Sequence, residues 1–173
     1  MIDLIREGDL KPTVDKIADR AALSHRSVFR YFDDLNDLAR AAFETEFREA
    51  LPLAIVDNVG EGELVDRIDR LVATQLRTLR RTHLLGIVAR SRATDIEAIE
   101  IGQRKIYARR LDQITRHFAP ELGALPARHA EAIASSIAVT TWLDSYDLQV
   151  RTAGRSPDEI AELWKITLHA LLT

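Results

Sequence analysis

Apolar residues recur mainly at helical spacing along this chain, and no stretch alternates apolar and polar residues as a strand would. The spacing predicts amphipathic helices over 63–81, 84–90 and 96–118, a long helix that ends near residue 152, and a last helix over 157–172. The predicted fold class is therefore all-α.

Segments that contain Pro or Gly should interrupt this helical pattern. Pro52 lies inside a predicted helix and should kink or restart it, because proline lacks the N–H that the helix needs. The run N-V-G-E-G at 58–62 predicts a helix or domain boundary, and residues 119–126 predict a Pro/Gly loop. We expect an N-terminal domain over residues 1–45 and a helical core and dimerisation domain over residues 46–173.

Residues that favour helix N-termini mark several short helices near the start of the chain. Thr13 can accept a hydrogen bond from a backbone N–H of the next turn, so a helix should begin at Val14. Ser24 should begin a second helix that carries residues 25–31, and Asp34 should begin a third. The first two predict a helix-turn-helix.

The outward half of the second of these helices carries no carboxylate. It consists of His25, Arg26, Ser27, Phe29, Arg30 and Tyr31. An arginine can donate two hydrogen bonds to the major-groove edge of guanine, and hydroxyls such as that of Ser24 can serve bases or phosphates. The pattern favours binding to double-stranded DNA.

The order and spacing of these residues resemble the DNA-binding domain of the TetR family of transcriptional repressors. That domain has a Thr opening its second helix, an I-A-x-x-A run, a hydrophobe-Ser pair opening its third helix, and an aromatic-x-Tyr/His-Phe ending. The matching residues here are Thr13, Ile17-Ala18, Ala21, Leu23-Ser24 and Phe29-Arg30-Tyr31-Phe32. The match covers about the first 45 residues.

The resemblance implies a ligand-controlled regulator, expected to be a repressor, that binds a palindromic operator as a homodimer. It places Thr13, Phe29 and Tyr31 near phosphates. It places His25, Arg26, Ser27 and Arg30 toward the bases.

The chain departs from the family pattern at three places. Ala22 stands where the family usually has Gly in the turn, and a positive φ at a non-Gly residue costs on the order of 1 kcal/mol. Leu35 stands where the family often has a Lys that reaches a phosphate. Only Met1 to Glu7 precede Gly8, so either Met1 is not the natural start or part of the domain is missing.

Net charge argues mildly against DNA binding. Residues 1–50 hold eight Lys/Arg and eleven Asp/Glu, a net charge of −3. Acidic residues such as Asp33, Asp34 and Asp37 must then lie away from the phosphates, so that the recognition surface stays locally basic.

The last two predicted helices carry apolar residues on more than one face, which is typical of helices that are buried on both sides. The resemblance supplies a partner for that surface, because TetR-like proteins dimerise by pairing their last two helices. The residues expected at the dimer interface are Trp142, Tyr146, Ile160, Trp164, Leu168 and Leu171.

Polar residues on otherwise apolar stripes predict a pocket for a small ligand within the core helices. They are Gln75, Gln103, Tyr107, Thr141 and Asp144. The carboxylate of Asp144 would favour a cationic ligand unless an arginine such as Arg90 pairs with it. The alternative is a set of hydrogen-bonded polar groups or salt bridges in a filled core.

Enzyme activity has little support in the sequence. The five His residues are scattered without metal-binding spacing, and there is no Cys, no G-x-S-x-G motif, no phosphate-binding glycine loop and no paired-carboxylate signature. We therefore expect no catalytic residue, metal site or cofactor.

No apolar run approaches the ~20 residues of a membrane span, and no signal peptide is evident, so we expect no membrane partner and a cytoplasmic protein. The competing function is a dimeric helical interaction module whose DNA binding is weak or lost.

Overall fold

A computed structural model describes residues 1–173. The chain forms ten α-helices and no strand, so the prediction of an all-α fold is confirmed. The helices are α1 Ile2–Arg6, α2 Val14–Arg20, α3 His25–Val28, α4 Leu35–Ala50, α5 Leu64–Arg92, α6 Glu97–His117, α7 Ala119–Leu122, α8 Ala127–Thr140, α9 Leu143–Asp147 and α10 Pro157–Leu172. A 3₁₀ turn, Leu51–Ala54, follows α4, and a π-helical turn, Leu148–Thr152, follows α9. No helix combines the length and the apolar character that crossing a bilayer requires.

Contacts within the chain group it into two compact units. The first unit comprises residues 1–51 and 82–103, and the second comprises residues 52–81 and 104–173. Helices α5 and α6 each contribute residues to both units. The first unit is therefore not continuous in sequence, and the expected range of residues 1–45 is only part of it.

The first unit has two apolar clusters, and the short helix α1 contributes to both. Leu4 packs in a cluster with Ile17, Val28 and other residues of α2, α3 and α4. The neighbouring Ile5 is fully buried in a cluster that contains Phe43 and residues from the end of α5. Consecutive residues of an α-helix point in different directions, so five helical residues suffice to join both clusters.

A buried carboxylate ties α1 to α4. Glu46 is 1% exposed and accepts a hydrogen bond at 2.6 Å from Nη2 of Arg6. Burying a carboxylate is costly unless a cation and hydrogen bonds compensate it, and the hydrogen bond from Arg6 contributes to that compensation.

The second unit has one large apolar core, formed by residues from α5 to α10. Its most buried large side chains include Leu71 of α5, Ile114 of α6, Phe118 directly after α6, and Trp164 of α10. Ala134, Ile137 and Ala138 bring α8 onto the same core, and small alanines let the helices approach closely.

The helices predicted separately over 63–81 and 84–90 form one 29-residue helix, α5. The apolar face changes direction between the two predicted segments. In the structure the change reflects a change of core, since Leu71 and Leu79 lie in the core of the second unit and Leu85 and Val88 lie in that of the first. The separation into two helices was therefore wrong.

Two further predicted segments differ from the structure. Residues 119–126 contain the short helix α7, with Pro120 in its first turn, so they are not entirely a loop. The long helix expected to end near residue 152 stops at Thr140, and Trp142 has extended backbone with ψ 168°. The β-branched run Val139-Thr140-Thr141 lowers helix propensity, and the Thr141 hydroxyl donates to the Ile137 carbonyl at 2.8 Å.

Several local predictions are confirmed. Helix α4 starts after Asp34, whose carboxylate accepts a hydrogen bond from the Asp37 N–H at 2.8 Å. It gives way to the 3₁₀ turn around Pro52, as the missing N–H requires. Helix α10 begins at Pro157, and Ser156 and Glu159 form a reciprocal capping box.

A neutral histidine holds the loop before α5 in the second unit. His117 is fully buried, and its Nδ1 accepts a hydrogen bond from the Gly60 N–H at 3.3 Å. Its Nε2 therefore carries the proton and donates to the Arg67 carbonyl at 2.8 Å. Burial lowers the pKa of His117, and the charges of Arg70 and Arg67 lower it further.

We expect the second unit to lose stability on mild acidification because of His117. Its pKa is lower in the folded chain than in the unfolded one, so the unfolded state takes up a proton first. The stability is present above the unfolded value of about 6.5 and is lost as the pH falls below that value toward the folded pKa. Urea unfolding midpoints measured from about pH 7.5 to about pH 5 would show this slope.

The matched variants are His117→Gln and His129→Gln. A glutamine side chain in place of His117 could both accept and donate a hydrogen bond without titrating, so the slope should flatten although overall stability falls. His129 is exposed, and its substitution should leave the slope unchanged. An unaltered slope in His117→Gln would assign the acid sensitivity to other groups.

Candidate functional site

The segment from Thr13 to Phe32 forms two short helices joined by a tight turn. Thr13 caps α2 by accepting from the Lys16 N–H at 3.4 Å, and Ser24 caps α3 by accepting from the Ser27 N–H at 3.1 Å. These caps place the two helix starts at the predicted residues.

The turn between α2 and α3 is a Schellman motif. The Leu23 N–H donates to the Ala18 carbonyl and the Ala22 N–H donates to the Asp19 carbonyl, at 3.0 and 3.1 Å. Ala22 lies at the left-handed position of this motif with φ +53°. Ala22 thus adopts the left-handed conformation expected of the glycine that the family usually has here. This conformation costs free energy because of the alanine Cβ.

Helix α3 is shorter than predicted. It ends at Val28, and the Tyr31 N–H bonds to the Val28 carbonyl three residues back. Residues 29–31 therefore form a turn and not a continuing helix. Val28 is buried and Phe32 is partly buried against the same cluster, whereas Ala21 is exposed.

Four of the residues predicted to bind DNA line one shallow depression of about 410 Å³ at the surface: Arg26, Ser27, Phe29 and Arg30. Phe29 is 46% exposed and Tyr31 is 66% exposed, which is unusual for large aromatic side chains. The Arg30 guanidinium lies 4.8 Å from the centre of the Tyr31 ring and donates to its hydroxyl at 3.0 Å. The structure thus gathers two arginines and two exposed aromatic rings on one surface.

Neither arginine of this surface pairs with a carboxylate, whereas several other cations of the first unit do. Arg20 donates to Glu7, Lys16 to Asp9, and Arg40 to Asp37. In each pair the hydrogen bond from the cation holds the pKa of the carboxyl below its usual value. These three acidic residues of the first 50 are therefore paired within the unit, with cations other than the two arginines of this surface.

One predicted DNA-binding residue has an acidic neighbour that the linear pattern did not reveal. Nε2 of His25 lies 2.5 Å from Oδ1 of Asp15, and both side chains are at least half exposed. Asp15 stands in the first turn of α2, ten residues earlier in the chain. Residues 25–31 therefore include no acidic residue, but Asp15 from α2 lies next to them in the folded chain.

The residues predicted to bind a ligand do not come together as one set. Gln75 and Thr141 are buried and lie around the guanidinium of Arg110, and Tyr107 lies nearby against Trp142. Asp144 is exposed, so it does not face inward as predicted, and Gln103 belongs to the first compact unit. Gln75 and Thr141 are hydrogen-bonded within the chain, as the alternative interpretation proposed.

Arg110 is the residue that sequence reasoning missed. Its Nη1 donates to the Gln75 side-chain oxygen, its Nη2 donates to the Thr141 carbonyl at 2.7 Å and to the Thr141 hydroxyl, and its Nε is buried without an acceptor. Burial lowers the pKa of Arg110 to about 9, so the guanidinium stays charged at pH 7. In the sequence it follows Arg109 directly, and nothing there indicates that Arg110 points inward and Arg109 outward.

Most of the predicted dimer-interface residues are buried inside the single chain. Tyr146, Ile160, Trp164 and Leu168 are at most 5% exposed and belong to the core of the second unit. Trp142 and Leu171 are partly buried. The four buried side chains are unavailable to a second subunit, so their assignment to an interface is corrected. The exposed apolar side chains of α8 and α10 are instead Val139 and Ile166, at 60% and 69%.

No protein-family model, curated protein or solved structure matches this chain. The structure also groups no three His, Asp or Glu side chains that could hold a metal ion. The assignment of a function therefore depends on the residues and their geometry.

We expect Ala22→Gly to stabilise the turn between α2 and α3. Glycine adopts a positive φ without the Cβ clash, and Ala22 is exposed, so no packing is lost. The gain should be about 0.5–1 kcal/mol in the free energy of unfolding, measured by urea denaturation.

The neighbouring Ala21→Gly is the matched control. Ala21 is also exposed but has φ −85°, where alanine is not strained. This substitution should leave stability unchanged or reduce it. Equal effects of the two substitutions would show that Ala22 stores no strain.

Proposed function

We propose that this chain is a DNA-binding transcriptional regulator, acting as a repressor, whose operator binding is controlled by a small molecule bound in the C-terminal part. The observation that carries the proposal is the capped α2–turn–α3 segment, which presents Arg26 and Arg30 beside Phe29 and Tyr31 without a carboxylate partner. The resemblance of the same residues to the TetR family supports the same function.

Each group on this surface has a chemistry that suits duplex DNA. A guanidinium can make paired hydrogen bonds to guanine in the major groove or bind phosphate, and tyrosine and serine hydroxyls can bind phosphate oxygens. The Arg30 contact with Tyr31 orients both groups, so less side-chain entropy is lost on binding. The contact of His25 with Asp15 must open if His25 is to reach a base.

The regulator is proposed to act as a homodimer on a palindromic operator. Two copies related by a twofold axis would present two recognition surfaces to half-sites spaced by about one DNA turn (roughly 34 Å) or a multiple of it. Because Trp164 and its neighbours are buried, the pairing surface is assigned to the outward faces of α8 and α10 around Val139 and Ile166.

The alternative function is a dimeric helical interaction module with weak or lost DNA binding. It is favoured by the net charge of −3 over residues 1–50, by the contact between His25 and Asp15, and by the brevity of α3. A gel shift on random duplex DNA at increasing salt separates the two functions, because phosphate contacts make DNA affinity fall steeply with salt. Absence of any salt-dependent shift would favour the interaction module.

Arg26→Ala or Arg30→Ala should weaken specific DNA binding by roughly 1–3 kcal/mol and relax the preference at one operator position, if that arginine contacts a base. The operator is first defined by selection from a random duplex library. Binding of each variant is then measured on the selected and on random DNA.

Arg48→Ala removes the same charge from an exposed position at the end of α4 and is the matched control. It should change the affinity for selected and random DNA little. If Arg26→Ala and Arg30→Ala weaken binding to both kinds of DNA equally, the arginines contact phosphate and carry no sequence preference.

Val139→Glu or Ile166→Glu should convert the homodimer to a monomer without unfolding the chain. Both side chains are exposed in the single chain, and a charge placed there would be desolvated only in the dimer. Sedimentation velocity at micromolar concentration measures the oligomeric state.

Val65→Glu, at a 56% exposed position of α5, is the control and should remain dimeric. Trp164→Glu should instead lower the thermal stability strongly, since it buries an unpaired charge in the core. Dimers that survive both α8 and α10 substitutions would place the interface on another face.

A further inference from the structure

We propose that the cluster around Arg110 is a binding site for a small organic carboxylate with an aromatic or apolar body. The inference deepens the ligand-controlled part of the proposed function, on which it rests, and specifies the chemical class of the ligand. It reverses the charge expected from the sequence, where Asp144 favoured a cationic ligand.

The Arg110 side chain is a cation without an anionic partner, and its Nε is buried. The guanidinium of Arg110 meets only neutral acceptors, from Gln75 and Thr141, and no Asp or Glu contributes to the electrostatic environment that sets its pKa. Buried charges in folded chains are ordinarily paired with an opposite charge. An anion bound at this guanidinium would supply the missing charge.

The same unit contains a matched case in which the charge is balanced, although the Nε of Arg67, like that of Arg110, has no acceptor. Arg67 is buried, and both of its terminal nitrogens donate to the carboxylate of Glu121. Arg110 therefore differs from Arg67 by lacking a carboxylate partner.

The geometry of the free donors favours a carboxylate. The Nε and Nη2 atoms form one edge of a guanidinium, and a carboxylate can accept from both at once. In Arg110 the Nε is without an acceptor, and Nη2 is held by the oxygen atoms of Thr141. A carboxylate on this edge would satisfy Nε and replace only the Thr141 contact, leaving Gln75 in place.

The neighbouring rings favour a ligand with an apolar body. The Arg110 guanidinium lies 5.4 Å from the centre of the Trp142 ring, and Tyr107 packs edge-on against Trp142 at 5.8 Å. Tyr107, Arg110 and Trp142 are all partly exposed, so the cluster is open to solvent on one side. Inorganic phosphate could pair with the Arg110 guanidinium but would make no apolar contact with Tyr107 or Trp142.

The site also contains an element that a ligand could move. Thr141 stands at the interruption between α8 and α9, and Arg110 donates to its carbonyl there. A carboxylate that takes over Nη2 would release this contact. Ligand binding is thus coupled to the conformation of the break between α8 and α9. A ligand can control a protein only if it binds two conformations with different affinity, and this coupling supplies that difference.

The test uses the whole chain without DNA, with phenylacetate as the probe and phenylacetamide as its neutral counterpart. Phenylacetate should raise the melting temperature in a saturable way and change the emission of tryptophan, since Trp142 borders the site. Phenylacetamide at the same concentration should do neither. This comparison needs no variant, so it stands even if substitutions at Arg110 impair folding.

Three variants locate the site. Arg110→Met should abolish the response, and Arg110→Lys should weaken the affinity at least tenfold, because lysine cannot make the paired hydrogen bonds. Arg109→Met removes the same charge from an exposed neighbouring position and should leave the affinity unchanged.

Three results would overturn the proposal: equal responses to the acid and its amide, equal losses in Arg109→Met and Arg110→Met, or no response to acetate, phenylacetate or indole-3-acetate up to about 10 mM. Because no DNA is present, a failure here leaves the proposed DNA binding untouched. Equally, a chain that binds no DNA could still bind the acid.

Discussion

Helix α5 must bury apolar side chains in two different cores, and much of the fold depends on this constraint. Its Leu71, Val72 and Leu79 belong to the core of the second unit, and its Leu85, Val88 and Ala89 to that of the first. A helix buried on one side only would need one continuous apolar stripe. Here the stripe changes direction along 29 residues, so one helix supplies side chains to both cores.

Several acidic side chains of this protein pair with a nearby Arg or Lys. For the charge of a given surface, these local pairs matter more than the net charge of the chain. The buried Glu46 pairs with the exposed Arg6, and the buried Arg67 pairs with the partly buried Glu121. Partly or fully exposed acidic residues of the first unit pair with Lys16, Arg20 and Arg40, where solvent screens each pair and its contribution to stability is small. The effect of these surface pairs is chiefly to leave Arg26 and Arg30 as cations without acidic partners. A negative total is therefore compatible with a locally basic surface.

The features that the sequence could predict are those set by near neighbours in the chain. Caps at Thr13, Ser24 and Asp34 depend on one side chain and the next turn, and all three were predicted at the residues where they occur. The positive φ of Ala22 was expected because the family pattern usually has glycine at that place in the turn. The contacts that sequence reasoning missed join residues far apart, such as Arg110 with Gln75, which are 35 positions apart. Helical periodicity assigns a residue to a face of its helix, but it does not say which other helix covers that face.

The burial of Trp164 shows why an apolar pattern alone does not define a dimer interface. The apolar faces of the last helices were wide enough to suggest an external partner, and the chain itself covers most of that area with α5, α6 and α8. A side chain inside the core of the free chain contributes to folding whether or not a partner binds. A side chain that identifies an interface must instead be exposed in the free chain, and Val139 and Ile166 meet this condition. For Arg110, the contacts with Gln75 and Thr141 explain folding, and the lack of a carboxylate partner such as Arg67 has in Glu121 is what points to a ligand.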